Sequence, residues 1–318
     1  MIEIVICTDD NYVMPSGVLL TSILMNSECP ASVRIHLISE RRLSDASRYS
    51  LDKIIEKYHS NIVYYNFPVS THNLPCHEKW QSDHISVTAY MRLFIVDILP
   101  KDINKVIYLD CDVICRHDLS ELWNEDIDEY AIGCCKEGND DFGFYNNIKL
   151  EFELSYFNSG VQLINLSYWR EKNVLRRCID FAMEFPERCV WYDQDILNSV
   201  LRREKKLLHR KYNVSSSLLE KNRKLLWTDF DEVALALEDP VLIHFSGSSK
   251  PWNTISDDHP YRQVFRFYQF HTEWAKTMGK NMIIARWKFL RRIKRTLLSL
   301  VGRERESGYI ELKVSLQR

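Results

Sequence analysis

Short apolar runs alternate with helix-spaced stretches through most of the chain. Ile2 to Cys7 is an apolar run with one charge, the pattern of a buried strand. It stops at Thr8-Asp9-Asp10-Asn11, and a helix is predicted from near Pro15 that turns Val18, Leu19, Ser22, Ile23 and Met25 inward. VRIHLI (33–38) reads as the next strand. The spacing of Leu43, Tyr49, Leu51, Ile54, Ile55 and Tyr58 predicts a helix, and Asn61 to Phe67 a third strand. Strand and helix alternating in units of this length predict an α/β fold, a mainly parallel twisted sheet flanked by helices.

The same pattern continues with a polar stretch over 70–84, a helix around Ser86 to Ile98, and the strand VIYL (106–109), which runs into Asp110 and Asp112. Residues 136–150, rich in Gly, Asn and Asp, read as a loop. A short strand is expected over 157–165, a helix over 166–185, and a late strand over 241–245 that closes in HFSGSSKPW (244–252). Three of these strands end in polar clusters: Thr8 to Asn11, Asp110 to Asp112, and His244 to Lys250. Ligands of open parallel sheets sit beyond the carboxyl ends of the strands, so these distant segments are expected to build one site.

Composition narrows the class. With 318 residues, 45% hydrophobic and 27% charged, the chain has the make-up of a soluble globular protein with a real core, as one large domain or two. Nine cysteines without a CxxC pair read as reduced thiols in a cytosolic setting, most of them buried small hydrophobes. MIEIVICTDDNY carries no basic segment before an apolar one, so no signal peptide is expected. Nor does any apolar run reach the length of a membrane span.

Two aspartates one residue apart repel each other. In extended chain, side chains at i and i+2 point to the same side, so Asp110 and Asp112 can face one point. A hard divalent cation there, Mg²⁺ or Mn²⁺, would relieve the repulsion and act as a Lewis acid on a leaving phosphate. The plainer alternative is a pair of capping or solvated turn residues. A rival chemistry sets the same DxD after an apolar strand, as in the haloacid-dehalogenase-like phosphatases, with one Asp as nucleophile. In those proteins the strand lies near the start of the chain, whereas here it comes a third of the way in. Cys111, between the aspartates, would be prone to oxidation if exposed.

Six blocks in order, TDDNY (8–12), HISVTAYMRL (84–93), YLDCDV (108–113), YFNSGVQLIN (156–165), YDQDILN (192–198) and HFSGSSKPW (244–252), resemble glycosyltransferase family 8, the retaining sugar transferases of the GT-A fold. Among its members the bacterial enzymes that add galactose or glucose to lipopolysaccharide or lipooligosaccharide are the most similar. The resemblance implies a UDP-hexose donor, a glycan or glycolipid acceptor, and a cation held by Asp110, Asp112 and His244. Imidazole beside carboxylates favours Mn²⁺ over Mg²⁺. It further implies that Thr8, Asp9, Asn11 and Tyr12 hold the uracil and ribose, Tyr12 by its π-face and Asp9 as an acceptor. Arg92, Asp110 and Asn158 would meet the donor sugar or phosphate, and Gly247 and Lys250 the diphosphate. Gln194 and Asp193 would be catalytic. The amide of Gln194 is a poor nucleophile, so a front-face route fits better than a double displacement. Asp195 and Asn198 read as helix-start residues, and Pro251 and Trp252 as fixing their loop.

The family blocks cover residues 1–255, expected as the catalytic domain, and leave 256–318 as a helical basic tail. Over 283–301, apolar Ile283, Trp287, Leu290, Ile293, Leu297 and Val301 recur while Arg286, Lys288, Arg291, Arg292, Lys294 and Arg295 crowd between them. Such a helix suits an anionic membrane interface, which implies peripheral attachment to the inner face of the plasma membrane. A helix packed on the domain with a solvated basic face is the alternative. No stacking motif accompanies the charges, so no nucleic acid partner is expected. Two other readings stand beside hexosyl transfer to a cell-surface acceptor: a protein- or self-glycosylating transferase of the glycogenin type, and a sugar-nucleotide binder that has lost turnover.

Overall fold

The computed structural model describes residues 1–72, 74, 87–138, 142–220, 229–247, 250–252 and 259–275. The first half runs β1 (Ile2–Cys7), α1 (Val13–Asn26), β2 (Val33–Ser39), α2 (Asp45–Lys57), β3 (Asn61–Asn66), α3 (Ile95–Ile98), β4 (Lys105–Leu109), β5 (Val113–Cys115) and α4 (Ser120–Trp123). There follow β6 (Ile132–Lys136), α5 (Phe142–Ile148), β7 (Phe157–Asn165), α6 (Leu166–Glu171), α7 (Val174–Glu184), α8 (Asp193–Val200), β8 (Lys205–Leu207), β9 (Val214–Ser215), α9 (Phe230–Glu238), β10 (Leu242–His244) and α10 (Arg262–Phe270).

The large sheet has the order β3-β2-β1-β4-β7-β6-β8. Its β3-β2-β1-β4 half and the β6–β8 pair are parallel, while β7 runs antiparallel to both its neighbours. A small sheet, β5-β10-β9, lies beyond the end of β4. The alternation of each central strand feeds two cores. Ile4, Ile6, Ile107 and Leu109 point to one face and pack with Leu19, Leu20, Ile23, Leu51 and Ile54 of α1 and α2. Val5, Val106 and Tyr108 point to the other, against Met91, Phe94, Trp169, Ile196 and Leu197. Both faces are therefore covered, as near-continuous apolar strands require.

A third core joins the small sheet to α1, α9 and α10: Ile114, Ile243 and Phe245 meet Val18, Val233, Val264, Phe265 and Tyr268. Residues 259–275 therefore share the core of the sheets, and the expected division after residue 255 falls just ahead of them. The basic stretch 283–301 lies outside the described residues. Among the described residues no helix is long and apolar enough to cross a membrane.

The large sheet is mainly parallel, as expected, with β7 its one antiparallel strand among the described residues. Three local expectations change. The predicted 86–98 helix is a 3₁₀ run, Val87–Phe94, followed by one α turn. The predicted 166–185 helix is broken where Asn173 takes the left-handed conformation (φ 49°), which Asn adopts more readily than most residues. Within the expected loop 136–150, α5 forms although Gly and Asn disfavour helix. Packing supplies what propensity does not, with Tyr145 and Ile148 buried and Phe144 stacked on Tyr156 at 4.9 Å.

Candidate functional site

Asp110-Cys111-Asp112 is the link between the two sheets, and not the end of an extended strand. Asp110 N–H donates to Gly160 O of β7 (2.8 Å), and Val113 N–H donates back to Asp110 O (3.2 Å), which closes a turn. Asp112 O accepts from Phe245 N–H (3.0 Å), and His244 lies opposite Val113 in the β5–β10 pair. The i, i+2 alternation of a strand therefore does not bring the carboxylates together. The turn does, with its two ends hydrogen-bonded to different sheets.

One ligand atom from each of Asp110, Asp112 and His244 lies within 4.8 Å of the others. His244 Nε2 is 3.3 Å from Asp112 Oδ1 and 3.7 Å from Asp110 Oδ2. Asp112 Oδ1 is buried without a hydrogen-bond partner, and buried polar atoms in that state are uncommon. Gly160 makes room for the cluster. A Cβ there would lie 2.2 Å from His244 Cε1 and 2.8 Å from Asp110 Oδ2. Two carboxylates and an imidazole converging on an unsatisfied oxygen suit a divalent cation, and the residues present fit that group.

Two basic side chains compensate the carboxylates. Arg92, buried, donates from Nη2 to Asp110 Oδ1 (2.9 Å), pairs through Nε with Asp193 Oδ2 (3.1 Å), and donates from Nη1 to Ser159 O (2.6 Å). Its guanidinium lies over the Tyr108 ring, 4.6 Å from the centroid. Lys250 donates to Asp112 Oδ2 (2.5 Å) and to Phe245 O (2.7 Å). Burial works against the charge of Asp112, yet Lys250 and His244 together outweigh it and hold the carboxyl well below its usual range. For Asp193 burial wins over Arg92, and its pKa rises from 3.8 to about 6. Cys111 is half-buried, and burial together with Asp112 and Asp110 pushes its thiol far up, so the thiolate needed for oxidation is suppressed.

The YDQDILN block is tied to β7 residue by residue. Asn198 accepts from Phe157 N–H and donates to Phe157 O, both at 2.9 Å, which docks α8 on the start of β7. Gln194 Oε1 then accepts from Ser159 N–H (2.9 Å), and its Nε2 donates to Tyr156 Oη (3.3 Å). Tyr156 in turn donates to Asp195 Oδ1 (2.7 Å), whose Oδ2 reaches back to Trp191 N–H (2.6 Å) at the helix start. Tyr192 precedes this helix at φ 49°, ψ −121°, a strained backbone that persists where the surroundings over-determine it. Here its ring is fully buried and lies edge-on to Tyr90 at 5.5 Å.

At the end of β1, Asp9 Oδ1 accepts from Asn11 N–H (2.8 Å) and Tyr12 N–H (3.0 Å), so one of its oxygens braces the turn ahead of α1. Thr8 is buried, with its Oγ1 2.7 Å from Ser16 Oγ. Tyr12 lies edge-on to Trp252 at 6.1 Å, and Trp252 packs on Phe265 at 5.2 Å. Gly247 has φ 81°, and the position of an added Cβ is open space. Asn158 is buried, and its amide is occupied by Glu137, Gly160 N–H and Asn213. Residues that motif reading passed over are Gly160 and Ser159, inside a quoted block, and Glu137, Asn213 and Tyr156. Glu137 and Asn213 lie outside every block and gave no spacing signal.

A model of "Glycosyl transferase family 8" matches residues 3–256. General stress protein A of Bacillus subtilis (strain 168) is 29% identical over 294 residues, covering 89% of this chain and 98% of that protein. A lipopolysaccharide 1,2-glucosyltransferase of Escherichia coli (strain K12) is 26% identical over 248 residues, 77% of this chain and 71% of that protein. Among solved structures, the galactosyltransferase LgtC in complex with donor and acceptor sugar analogs superposes with a TM-score of 0.74 at 24% identity, over 86% of this chain and 96% of that one. The fold is accordingly GT-A, and the family match sets aside the phosphatase reading of the DxD.

Two outcomes follow from the geometry. Gly160→Ala should weaken binding of Mn²⁺, followed by calorimetry, by at least about 10-fold, because His244 or Asp110 must move. Unchanged affinity would mean that the cluster yields without cost. For Asp193, the native state keeps a proton that the unfolded chain has released between about pH 4 and 6. Its contribution to stability is complete below that window and is lost as pH rises through about 6. Asp193→Asn cannot ionise, so its unfolding free energy relative to wild type should rise by on the order of 2 kcal/mol from pH 4 to 7 in urea titrations. A flat difference would show no raised carboxyl there.

Proposed function

The chain belongs to glycosyltransferase family 8, and from that membership we propose that it moves a hexose, glucose or galactose, from a UDP-sugar to a cell-surface glycan or glycolipid with retention of configuration. The observation that carries the reading is the Asp110–Asp112–His244 cluster with Lys250 against it. Mn²⁺, with Mg²⁺ as the alternative, would supply Lewis-acid charge for the departing diphosphate. The protein's own groups do the rest. Lys250 offers a point charge to the diphosphate, and Gly247 lets backbone N–H groups approach it. Asp9, Asn11, Thr8 and Tyr12 hold the nucleoside.

Asp193 is bound by Arg92, which disfavours it as a covalent nucleophile, and Gln194 is an amide. These two facts support a front-face route, in which the leaving phosphate accepts the acceptor's proton. Gln194 stabilises positive charge at the anomeric carbon, and Arg92, Asp193 and Asn158 orient the sugar. The basic stretch 283–301 attaches the enzyme peripherally to the anionic cytoplasmic leaflet, each basic residue contributing about 1 kcal/mol.

UDP release from a panel of UDP-sugars tests the chemistry. One hexose donor should turn over with Mn²⁺, EDTA should abolish turnover, and Asp112→Asn should lower it by at least about 100-fold. Release of phosphate from simple monoesters without UDP-sugar turnover would refute the transferase. Binding without turnover, even with membrane extract as acceptor, would leave a sugar-nucleotide binder, and label appearing on the protein itself would favour the glycogenin type. For attachment, full-length protein should sediment with phosphatidylglycerol vesicles at low salt and a chain ending at Thr277 should not. Equal sedimentation would sink the membrane reading.

A further inference from the structure

Behind His244 runs a buried chain of polar side chains, two of which, Glu137 and Asn213, lie outside the family blocks. Glu137, Asn158, Asn213 and His244 are each less than a tenth exposed. Asn158 Nδ2 donates to Glu137 Oε2 (2.9 Å), Asn213 Nδ2 donates to Asn158 Oδ1 (2.9 Å), and Asn213 Oδ1 lies 3.1 Å from His244 Nδ1. Glu137 is anchored in turn, its Oε1 accepting from Gly138 N–H (2.7 Å) and from the Ser217 hydroxyl. The backbone of Gly160 sets the polarity of the chain. Gly160 N–H can only donate, and it donates to the same Asn158 Oδ1 (3.0 Å). That end of Asn158 must be the carbonyl, so Asn213 must turn its NH₂ toward it. The carbonyl of Asn213 is then left for the imidazole, and Nδ1 must carry the proton. When the ring is neutral the opposite nitrogen, Nε2, is consequently a lone pair, and it faces the unsatisfied Asp112 Oδ1 at 3.3 Å. Two acceptors then face each other across a gap that a divalent cation can bridge.

We propose that Asn213 is a positioning residue, which, held by Asn158 and Glu137, locks His244 in the Nδ1–H tautomer and so presents Nε2 to a divalent cation. This inference rests on the metal reading of Asp110, Asp112 and His244. Groups that accept from the remote N–H of a ligating imidazole orient the ring and raise its basicity, and their loss costs about 10- to 100-fold in metal affinity. An amide in this place, itself polarised by a second amide and a carboxylate, acts in the same way.

Long-range ¹H–¹⁵N spectra of metal-free, histidine-labelled full-length protein read the tautomer directly. The His244 ring, identified by its loss in His244→Gln, should show a protonated Nδ1 and an unprotonated Nε2. The opposite tautomer would overturn the proposal whatever the variants do. Mn²⁺ titration by calorimetry and electron paramagnetic resonance is the second readout. Asn213→Leu, which cannot accept from Nδ1, should bind about 10- to 100-fold more weakly than wild type. Asn213→Asp, which can still accept, should bind at least about 10-fold more tightly than Asn213→Leu. If Asn213→Leu fails to fold, Asn213→Asp with near wild-type affinity supports the proposal, and a loss like that expected for leucine counts against it. A purely structural Asn213 would lower the unfolding midpoint and leave the Mn²⁺ affinity alone. If wild type binds no Mn²⁺ at all, the metal reading falls, whereas wild-type binding unaltered in Asn213→Leu sinks only the role of Asn213.

Discussion

Three carboxylates gathered where little water reaches must be neutralised by something fixed in place. Asp112 and Asp193 are buried and Asp110 is partly so, and among the described residues Arg92 and Lys250 are the basic side chains that meet them. Burying a charge without a partner costs several kcal/mol, so every element near this spot is arranged around that deficit. Arg92 arrives on a tightly wound 3₁₀ segment, Lys250 from the loop after β10, and His244 from the end of β10 itself. A divalent cation is what the remaining imbalance calls for. The GT-A scaffold is best understood as the frame that keeps these charges from spreading apart.

The frame works because two sheets meet at one turn. Were Asp110 to Asp112 a simple strand end, the carboxylates could swing into solvent and the repulsion would vanish. Backbone hydrogen bonds to β7 on one side and β10 on the other forbid this. Gly160 lets the imidazole lie against the turn, and Asn198 docks α8 so that Gln194 and Asp193 sit beside the same segment of β7. Residues far apart in sequence therefore hold fixed relations, with mostly backbone groups as the intermediaries.

Much of this is legible in the sequence. The first three strands and two helices follow from apolar spacing, and the polar ends of three strands point to a single shared site. The cluster of Asp110, Asp112 and His244 can be anticipated because its residue types suit a cation and its blocks fall in family order. What spacing does not reveal is of two kinds. Tertiary packing overrides local preference in α5, and a left-handed Asn173 breaks a helix that looks continuous. The relay through Asn213 and Glu137 depends on which side chains meet after folding, and a lone Asn ahead of a two-residue strand carries no periodic signal. Asn158 is expected from its block to meet the donor sugar, and the use its amide makes of Glu137 and Asn213 is not legible there.

The protonation pattern follows from how the cations are shared. Lys250 forms its carboxylate pair with Asp112, His244 lies beside it, and that carboxyl is driven down although it is buried. Arg92 divides its guanidinium between Asp110 and Asp193, so neither receives the whole of its charge, and Asp193, the more buried of the two, rises to about 6. Desolvation acts on both Asp112 and Asp193. The difference between them lies in the charges beside each: Lys250 and His244 act on Asp112, whereas Asp193 has a shared Arg92 and the neighbouring Asp110 carboxylate. Asp193 lies outside the Asp110–Asp112–His244 cluster, so its retained proton is held away from the groups that could hold a cation, while Asp112 stays ionised.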